Sequence, residues 1–290
     1  MYRRIFDALN YRRLLNWLPD KLFLKAAFRA RFGSSLNLKN PKTFNEKLQW
    51  LKLYNRHSDY TIMVDKYRVR DYVANKIGSQ YLIPLLGDWD DPNQIDFDNL
   101  PNQFVLKCNH NSGLGMCICQ DKTKLNIENV RKELKKGISQ NYYLTGREWP
   151  YKNVPRKIIA EKYMVDESGY ELKDYKFYCF NGKVKLLMIN SDRMTPGQTK
   201  ADYFDENYNH LDFSWGYENA NSIVPKPSGF EKMKALAEKL SGSIPHVRVD
   251  FYQTSSGIYF GEMTFFDGSG FDVIEPIEWD YKLGSWIELP

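Results

Sequence analysis

His246–Gly270 reads HVRVDFYQTSSGIYFGEMTFFDGSG, two extended runs joined by a short polar turn. Successive side chains of a strand point to opposite faces, so Arg248 and Asp250 share one face of the first run. Glu262 and Thr264 likewise share a face of the second run. An antiparallel hairpin brings these two faces together. The stretch therefore predicts a hairpin that gathers an arginine and two carboxylates on one side.

The two carboxylates need a positive partner, because carboxylates this close repel unless a cation or a proton lies between them. Mg²⁺ on a phosphate chain is bound by one or two carboxylates together with phosphate oxygens. The planar guanidinium of Arg248 suits anionic oxygens. An ordinary exposed hairpin with scattered charges is the alternative interpretation, and this stretch alone leaves both open.

Composition describes a folded protein. The chain has 290 residues, enough for two domains or for one large domain with a lid. The net charge of +5 permits polyanion binding without requiring it, and no nucleic-acid partner is expected. No apolar run is long enough for a transmembrane helix, and residues 1–33 are too often interrupted by charges for a secretory signal. The four cysteines lack zinc-ribbon spacing and indicate a reducing cytoplasm.

Helices dominate the first part of the predicted structure. Residues 1–33 form a basic amphipathic region that either rests on an anionic membrane or packs on the protein itself. Thr43 and Glu46 have the spacing of a capping box at the start of the next helix. Tyr60–Lys76 is predicted to be a single helix with Lys66 near its middle. Strands are predicted at 83–89, 104–108, 116–120, 155–165, 174–180 and 183–189, and further helices at 125–138 and 229–241.

A glycine-rich loop follows the strand that contains Lys107. Backbone N–H groups of such a loop can approach phosphate oxygens closely, although an ordinary hairpin turn has the same composition. The loop is not a Walker A motif, because its lysine precedes the glycines. His110 within it either donates to a phosphate or holds the loop in place.

The order of these features resembles the ATP-grasp superfamily from about Lys66 to Gly270. The order is a lysine in a helix, a lysine before a glycine loop, a Glu-Lys pair after a strand, and the charged hairpin. The segments NPKTFNEKLQWLKLY, VDKYRVRDYV, FVLKCNHNSG, NYYLTGREWPYKN and GEMTFFDGSG resemble a narrower branch. That branch is the TupA-like group of bacterial surface-polysaccharide and teichuronopeptide biosynthesis.

The resemblance implies an α+β ATP-grasp fold in which two α+β subdomains clamp ATP, preceded by a helical N-terminal extension. The implied divisions are a helical region at 1–100, a small lid subdomain with the glycine loop at 101–165, and a C-terminal subdomain with the metal site at 166–290.

The resemblance also implies the site residues. The implied ATP-binding residues are Lys66, Lys107, Asn111, Ser112, Gly113, Gly115, Glu161, Lys162, Tyr163, Met164 and Asp174. The implied Mg²⁺ ligands are Asp250, Glu262 and Thr264, with Thr264 at a position where the family usually has Asn. Arg248 and Lys66 are the implied catalytic residues. Arg193 is a further catalytic candidate, and Arg193 and Lys200 either hold an anionic substrate or are solvated loop charges.

The implied function is an ATP- and Mg²⁺-dependent carboxylate–amine ligase that acts through an acyl phosphate. Its implied partners are a uronic-acid carboxylate on a capsular polysaccharide and an amino-acid amine. The alternatives are a nucleotide-sugar glycosyltransferase and a phosphotransferase that acts on a hydroxyl. Residues 146–151 either line a sugar groove or form a packed aromatic turn. The expected location is the cytoplasm, with possible peripheral contact at the inner face of the membrane.

Overall fold

The computed structural model describes residues 2–169, 171–191, 199–220 and 222–290. Its helices are α1 (Tyr2–Tyr11), α2 (Asp20–Phe32), α3 (Phe44–Tyr54), α4 (Asp59–Val64), α5 (Val69–Lys76), α6 (Ile127–Ser139), α7 (Tyr143–Gly146), α8 (Phe230–Ser241) and α9 (Ile277–Trp286). Its strands are β1 (Leu85–Trp89), β2 (Phe104–Cys108), β3 (Met116–Cys119), β4 (Ile158–Lys162), β5 (Asp174–Phe180), β6 (Lys183–Ser191), β7 (Lys200–Asp205), β8 (His210–Leu211), β9 (Ser214–Trp215), β10 (His246–Thr254), β11 (Gly257–Thr264) and β12 (Ile274–Glu275).

The N-terminal helices have a small core of their own. α2 buries Phe23, Leu24 and Phe28, and Phe6 of α1 packs on Phe23 with ring centroids 5.4 Å apart. α3 follows with the predicted capping box, in which Thr43 accepts from the Glu46 N–H at 3.2 Å. Helices formed by the described residues all fall short of the length and apolar character that crossing a bilayer requires.

Residues 60–76 form two helices, so the prediction of a single helix through Lys66 was wrong. The Asp65 carboxylate accepts hydrogen bonds from the backbone N–H groups of Tyr67 at 2.9 Å and Arg68 at 3.3 Å. These local bonds compete with helical hydrogen bonds and end α4. Asn109 donates to the same carboxylate at 2.7 Å and fixes the turn to the end of β2. Lys66 therefore lies in the turn between α4 and α5.

The first sheet is antiparallel and has the strand order β1-β4-β2-β3. α6 covers it, with Val130 and Leu134 packed in one core with Phe104 and Leu106 of β2. β1 precedes residue 100, so this sheet takes strands from both sides of that predicted division.

The second sheet is larger, antiparallel, and has the order β11-β10-β5-β6-β7-β8. Its central strand β5 is buried along its whole length, and α8 packs Met233 and Leu240 into the main core. Asn181 and Gly182, at φ of 48° and 82°, form the predicted turn between β5 and β6.

The predicted hairpin is confirmed as β10 and β11, with one irregularity. Arg248 pairs with Thr264 and Val249 with Met263, but Phe251 pairs with Phe260. The extra residue on β11 is a bulge beside Asp250, and such bulges re-aim side chains. Gly261 fits there because an added Cβ would lie 3.2 Å from the Asp250 carbonyl oxygen.

Candidate functional site

The hairpin brings its predicted charged residues together on one face. Arg248 donates from Nε to Asp250 Oδ1 and from Nη2 to Asp250 Oδ2, each at 2.7 Å. Nη2 also donates to Glu262 Oε1 at 3.0 Å. The positive group that holds the two carboxylates together is therefore Arg248 itself, bound in the bidentate geometry typical of arginine.

Asp267 is a third carboxylate of this cluster, and it was missed from the sequence as a site residue. Its side chain accepts hydrogen bonds from Arg248 Nη1 and from the Tyr178 hydroxyl, the latter at 2.6 Å. It begins the turn Asp267–Gly270, which belongs to the GEMTFFDGSG segment. The signal was its position in that segment, but the charged pattern of the hairpin ended three residues earlier, at Thr264.

Lys176 of β5 approaches Asp250 from the neighbouring strand. Its Nζ donates to Asp250 Oδ2 at 2.8 Å and to Asp174 Oδ2 at 3.2 Å. Burial lowers the pKa of Lys176, but the charges of Asp174 and Asp250 outweigh it and leave the pKa raised. Asp174, one of the implied ATP-binding residues, thus lies in the same cluster.

Lys66 connects the hairpin to the glycine loop. Its Nζ lies 3.3 Å from Glu262 Oε2 and donates to the Asn111 carbonyl at 2.9 Å. Burial opposes ionisation of Glu262, but the charges of Lys66, Arg248 and Lys176 outweigh it and hold the pKa of that carboxyl well below its usual range. Glu262 is therefore a carboxylate at neutral pH.

Lys107 and Glu161 lie next to each other on the first sheet. Lys107 Nζ is 2.6 Å from Glu161 Oε2, and Arg70 Nη1 is 3.7 Å from Glu161 Oε1. Lys107 also contributes to the low pKa of Glu262. Lys107 of the first sheet and Arg248 of the second sheet therefore both favour the charged form of Glu262.

The glycine loop is partly anchored inside the protein. The Asn111 side chain is buried and donates to the Gly137 carbonyl and to Gln140 Oε1, both at 3.1 Å. A Cβ at Gly115 would lie 2.8 Å from Gly137 Cα, so glycine there allows the loop to pack on α6. Ser112 and Gly113 are exposed at the tip. Their predicted phosphate contacts remain predictions.

Among the implied ATP-binding residues, those that match the family's adenine-binding segment lie at the end of β4 and directly after it. Lys162 is exposed, and its backbone N–H donates to the Pro84 carbonyl at 3.0 Å. The Tyr163 hydroxyl accepts from Gln120 Nε2 at 2.8 Å. Met164 is half-buried beside them. Base recognition by these residues remains a prediction.

The two predicted carboxylate ligands of Mg²⁺ differ in exposure. The Glu262 side chain is 32% exposed, and hard carboxylate oxygens are what Mg²⁺ prefers. Both oxygens of Asp250 are bonded to Arg248 or Lys176, and Asp250 is 1% exposed. Thr264 donates to Glu262 Oε1 at 3.2 Å. Glu262 therefore presents the more exposed carboxylate, and its oxygens also contact Arg248 and Lys66. The metal roles of Glu262, Asp250 and Thr264 remain predictions.

His110 holds the loop, which is one of its two predicted roles. It is buried, and its Nε2 lies 3.1 Å from the Gln140 carbonyl oxygen. Burial lowers the pKa of His110 to about 4, against a smaller opposing effect of that hydrogen bond. The imidazole is therefore neutral near pH 7 and donates to the carbonyl.

His110→Gln should flatten the acid side of the stability profile. Between about pH 4 and 6.5 the unfolded chain binds the proton that buried His110 refuses, so wild-type stability falls as pH falls through that window. We expect this loss to shrink by on the order of 1–2 kcal/mol in the variant. Urea unfolding at pH 7 and pH 5 measures it. His57→Gln, at an exposed histidine, is the control; equal slopes for wild type and His110→Gln would rule out this role.

A buried lysine, Lys52, supports the turn that carries Asp267. It is fully buried, and its Nζ donates to the carbonyls of Gly146 and Ser269, both at 2.7 Å. Ser269 in turn donates to the buried Glu148 carboxylate at 2.5 Å. Sequence reasoning missed Lys52, because a lysine on a predicted amphipathic helix is normally assigned to the solvent face.

Two tyrosines lie beside the charged cluster. Tyr142 and Tyr151 pack edge to face with ring centroids 4.8 Å apart. Burial raises the pKa of both hydroxyls, and the charges of Glu148 and Glu262 raise it further. The predicted aromatic segment at 146–151 therefore contributes Tyr151 to the surroundings of Glu262.

Two further anion contacts were predicted, at Arg193 and Lys200. Arg193 lies outside the described residues. Lys200 pairs with Glu218 at 2.7 Å. Its role as a substrate contact remains a prediction.

Comparisons with known proteins give one family and several structural similarities. The family described as TupA-like ATPgrasp matches residues 46–288. No curated protein matches the chain.

Three solved structures illustrate the structural similarity. The chain is similar to D-alanine–D-alanine ligase from Bacillus anthracis complexed with ATP (14% identity, TM-score 0.42, 70% of this chain and 54% of that one). It is also similar to D-alanine–D-alanine ligase from Helicobacter pylori (16% identity, TM-score 0.44, 86% of this chain and 70% of that one). A third similarity is to an ADP complex of purK, N5-carboxyaminoimidazole ribonucleotide synthetase (13% identity, TM-score 0.46, 83% of this chain and 56% of that one). The chain spans just over half the length of the first and third proteins. Because these similarities are low, assignment of the chain rests on the family match.

Proposed function

The chain belongs to the TupA-like ATP-grasp family, and from this premise we propose that it is an ATP-dependent carboxylate–amine ligase. Membership confirms the predicted α+β ATP-grasp fold, and ATP-grasp enzymes use ATP and Mg²⁺. Bound Mg²⁺ would neutralise phosphate charge and orient the phosphate chain.

The observation that carries the proposal is the convergence of four cationic side chains on one accessible carboxylate. Lys66, Arg248, Lys176 and Lys107 all act on Glu262. Lys107 lies in the first sheet, Arg248 and Lys176 lie in the second, and Lys66 lies in the turn between α4 and α5. A nucleotide polyphosphate bound beside Glu262 would supply the negative charge that these four cations neutralise. We assign Lys66 and Lys107 to the phosphates and Arg248 to the transferred phosphoryl group.

The proposed chemistry has two steps. A carboxylate oxygen of the first substrate attacks the γ-phosphorus, the bond to the bridging oxygen breaks, and ADP leaves. An amine then attacks the acyl carbon, inorganic phosphate leaves, and the nitrogen loses a proton to give the amide. Positioning and charge neutralisation supply most of the catalysis of phosphoryl transfer, so a set of fixed cations suits the first step.

For the substrates, we propose a uronic acid of a bacterial surface polysaccharide or its precursor as the carboxylate, and an amino acid as the amine. The Tyr142–Tyr151 pair beside Glu262 supports a sugar substrate, because aromatic rings offer flat apolar surfaces for sugar rings. Because the reaction consumes ATP, we place the protein in the cytoplasm.

The test is product release from ATP, Mg²⁺ and panels of uronic acids and amino acids. We expect ADP and phosphate in equal amounts, and only when both substrates are present. ADP release with a uronic acid alone, accompanied by a stable phosphorylated hydroxyl, would instead indicate a phosphotransferase. Release of a nucleoside diphosphate from a nucleotide sugar without ATP would indicate a glycosyltransferase. Either outcome would refute the ligase proposal.

A further inference from the structure

The first helices carry an unusually dense set of exposed apolar side chains, here called the N-terminal patch. Its members are Tyr2, Ile5, Leu9, Tyr11, Leu14, Trp17 and Leu22. Among the described residues, these are seven of the 18 exposed large hydrophobic side chains, all within the first 22 positions. Tyr11 is 90% exposed, Tyr2 80% and Trp17 78%. Clusters of this kind mark interaction surfaces.

Three members of the patch share one face of α1. Tyr2, Ile5 and Leu9 follow the i, i+3, i+7 spacing of one helix face. α1 is attached to α2 by Phe6, which packs on Phe23, and by Asp7, which pairs with Arg31 at 3.3 Å. Phe6 borders the same face, so α2 covers one edge of it while Tyr2, Ile5 and Leu9 stay exposed.

Positive charge is concentrated in the same segment. Residues 1–33 contain eight Lys or Arg and two Asp, a net +6 (eight minus two), while the whole chain carries +5. Both acids are paired, Asp7 with Arg3 and Arg31, and Asp20 with Arg56. The rest of the chain thus has a slightly negative balance, and the excess positive charge surrounds the patch.

We propose that the N-terminal patch docks the protein on an anionic lipid bilayer, with α1 lying in the membrane interface. Exposed Trp and Tyr prefer the headgroup level, and nearby arginines bind anionic headgroups. An amphipathic basic helix lies in the interface plane rather than across it.

A second copy of the chain fits the patch less well, because a two-fold contact would place two positively charged segments against each other. The family match begins at residue 46, so the patch lies outside it. The inference is therefore independent of the proposed ligase activity.

Co-sedimentation with vesicles tests the proposal. The protein should bind vesicles of phosphatidylcholine with phosphatidylglycerol, bind pure phosphatidylcholine much more weakly, and dissociate as salt rises. Tyr11→Ser with Trp17→Ser should reduce the partition coefficient at least about tenfold. Arg12→Ser with Arg13→Asn should reduce it roughly 25-fold, at about fivefold for each arginine. Asn is chosen at position 13 because it tolerates the φ of 61° there.

Tyr217→Ser with Tyr281→Ser removes two exposed tyrosines elsewhere and is the matched control, expected to bind like wild type. Circular dichroism confirms that each variant is folded. Equal binding to neutral and anionic vesicles, or unchanged binding of both patch variants, would overturn the proposal. A concentration-dependent dimer in solution that the patch variants abolish would also overturn it, because the patch would then be a contact between copies.

Discussion

Glu262→Gln should lose at least about 100-fold in ATP turnover and stay folded. Mutating even a residue that only supports a metal ligand typically costs about 10- to 100-fold, and Glu262 is predicted to be a ligand itself. Gln keeps the size of the side chain and one oxygen, but it loses the charge that Lys66 and Arg248 stabilise. Because the side chain is partly exposed, the stability cost should be below about 1 kcal/mol.

The measurement is the rate of ADP release over a Mg²⁺ titration, with urea unfolding of the same preparations. The apparent requirement for Mg²⁺ should rise in the variant. Glu278→Gln, at an exposed carboxylate of α9, is the matched control and should keep wild-type turnover. Full turnover in Glu262→Gln would remove the metal assignment, whereas lost turnover together with lost folding would show a structural role instead.

Features set by short-range chemistry were predictable from the sequence. Alternation along β10 correctly put Arg248 and Asp250 on one face, and the spacing of Thr43 and Glu46 identified the start of α3. Asn181–Gly182 likewise required a turn. In each case a period or a backbone conformation depends on neighbouring residues alone.

Features that depend on distant partners were not predictable. Lys66 was assigned to a helix interior, whereas it lies in a turn that Asn109 holds by donating to Asp65. These two residues are 44 positions apart, so a local pattern does not reveal their contact. The same limitation applies to Lys176, since nothing in the sequence shows that β5 lies beside β10. Asn111 was predicted to bind ATP, and the sequence did not show that its side chain donates to Gly137 and Gln140, 26 and 29 positions away.

Arg248→Met should give the largest loss of stability, about 3–5 kcal/mol in the free energy of unfolding. Arg248 is buried and pairs with Asp250, Glu262 and Asp267, so its removal leaves buried carboxylates with too little positive charge. Urea unfolding at neutral pH measures the loss. Arg12→Met, at an exposed arginine, should change stability by less than about 0.5 kcal/mol.

The source of that loss can be separated by pH and by a second substitution. Burial already raises the pKa of Asp250 in the folded protein, and without the opposing charge of Arg248 it should rise further above the unfolded value near 3.9. Above a pH of about 3.9 the folded variant then binds more protons than its unfolded chain. Its loss of stability relative to wild type should therefore shrink as pH falls. Adding Asp267→Asn should recover about 1–3 kcal/mol at neutral pH, because it removes one unpaired charge. A deficit that is independent of pH and unchanged in the double variant would mean that lost packing, rather than unpaired charge, is the cause.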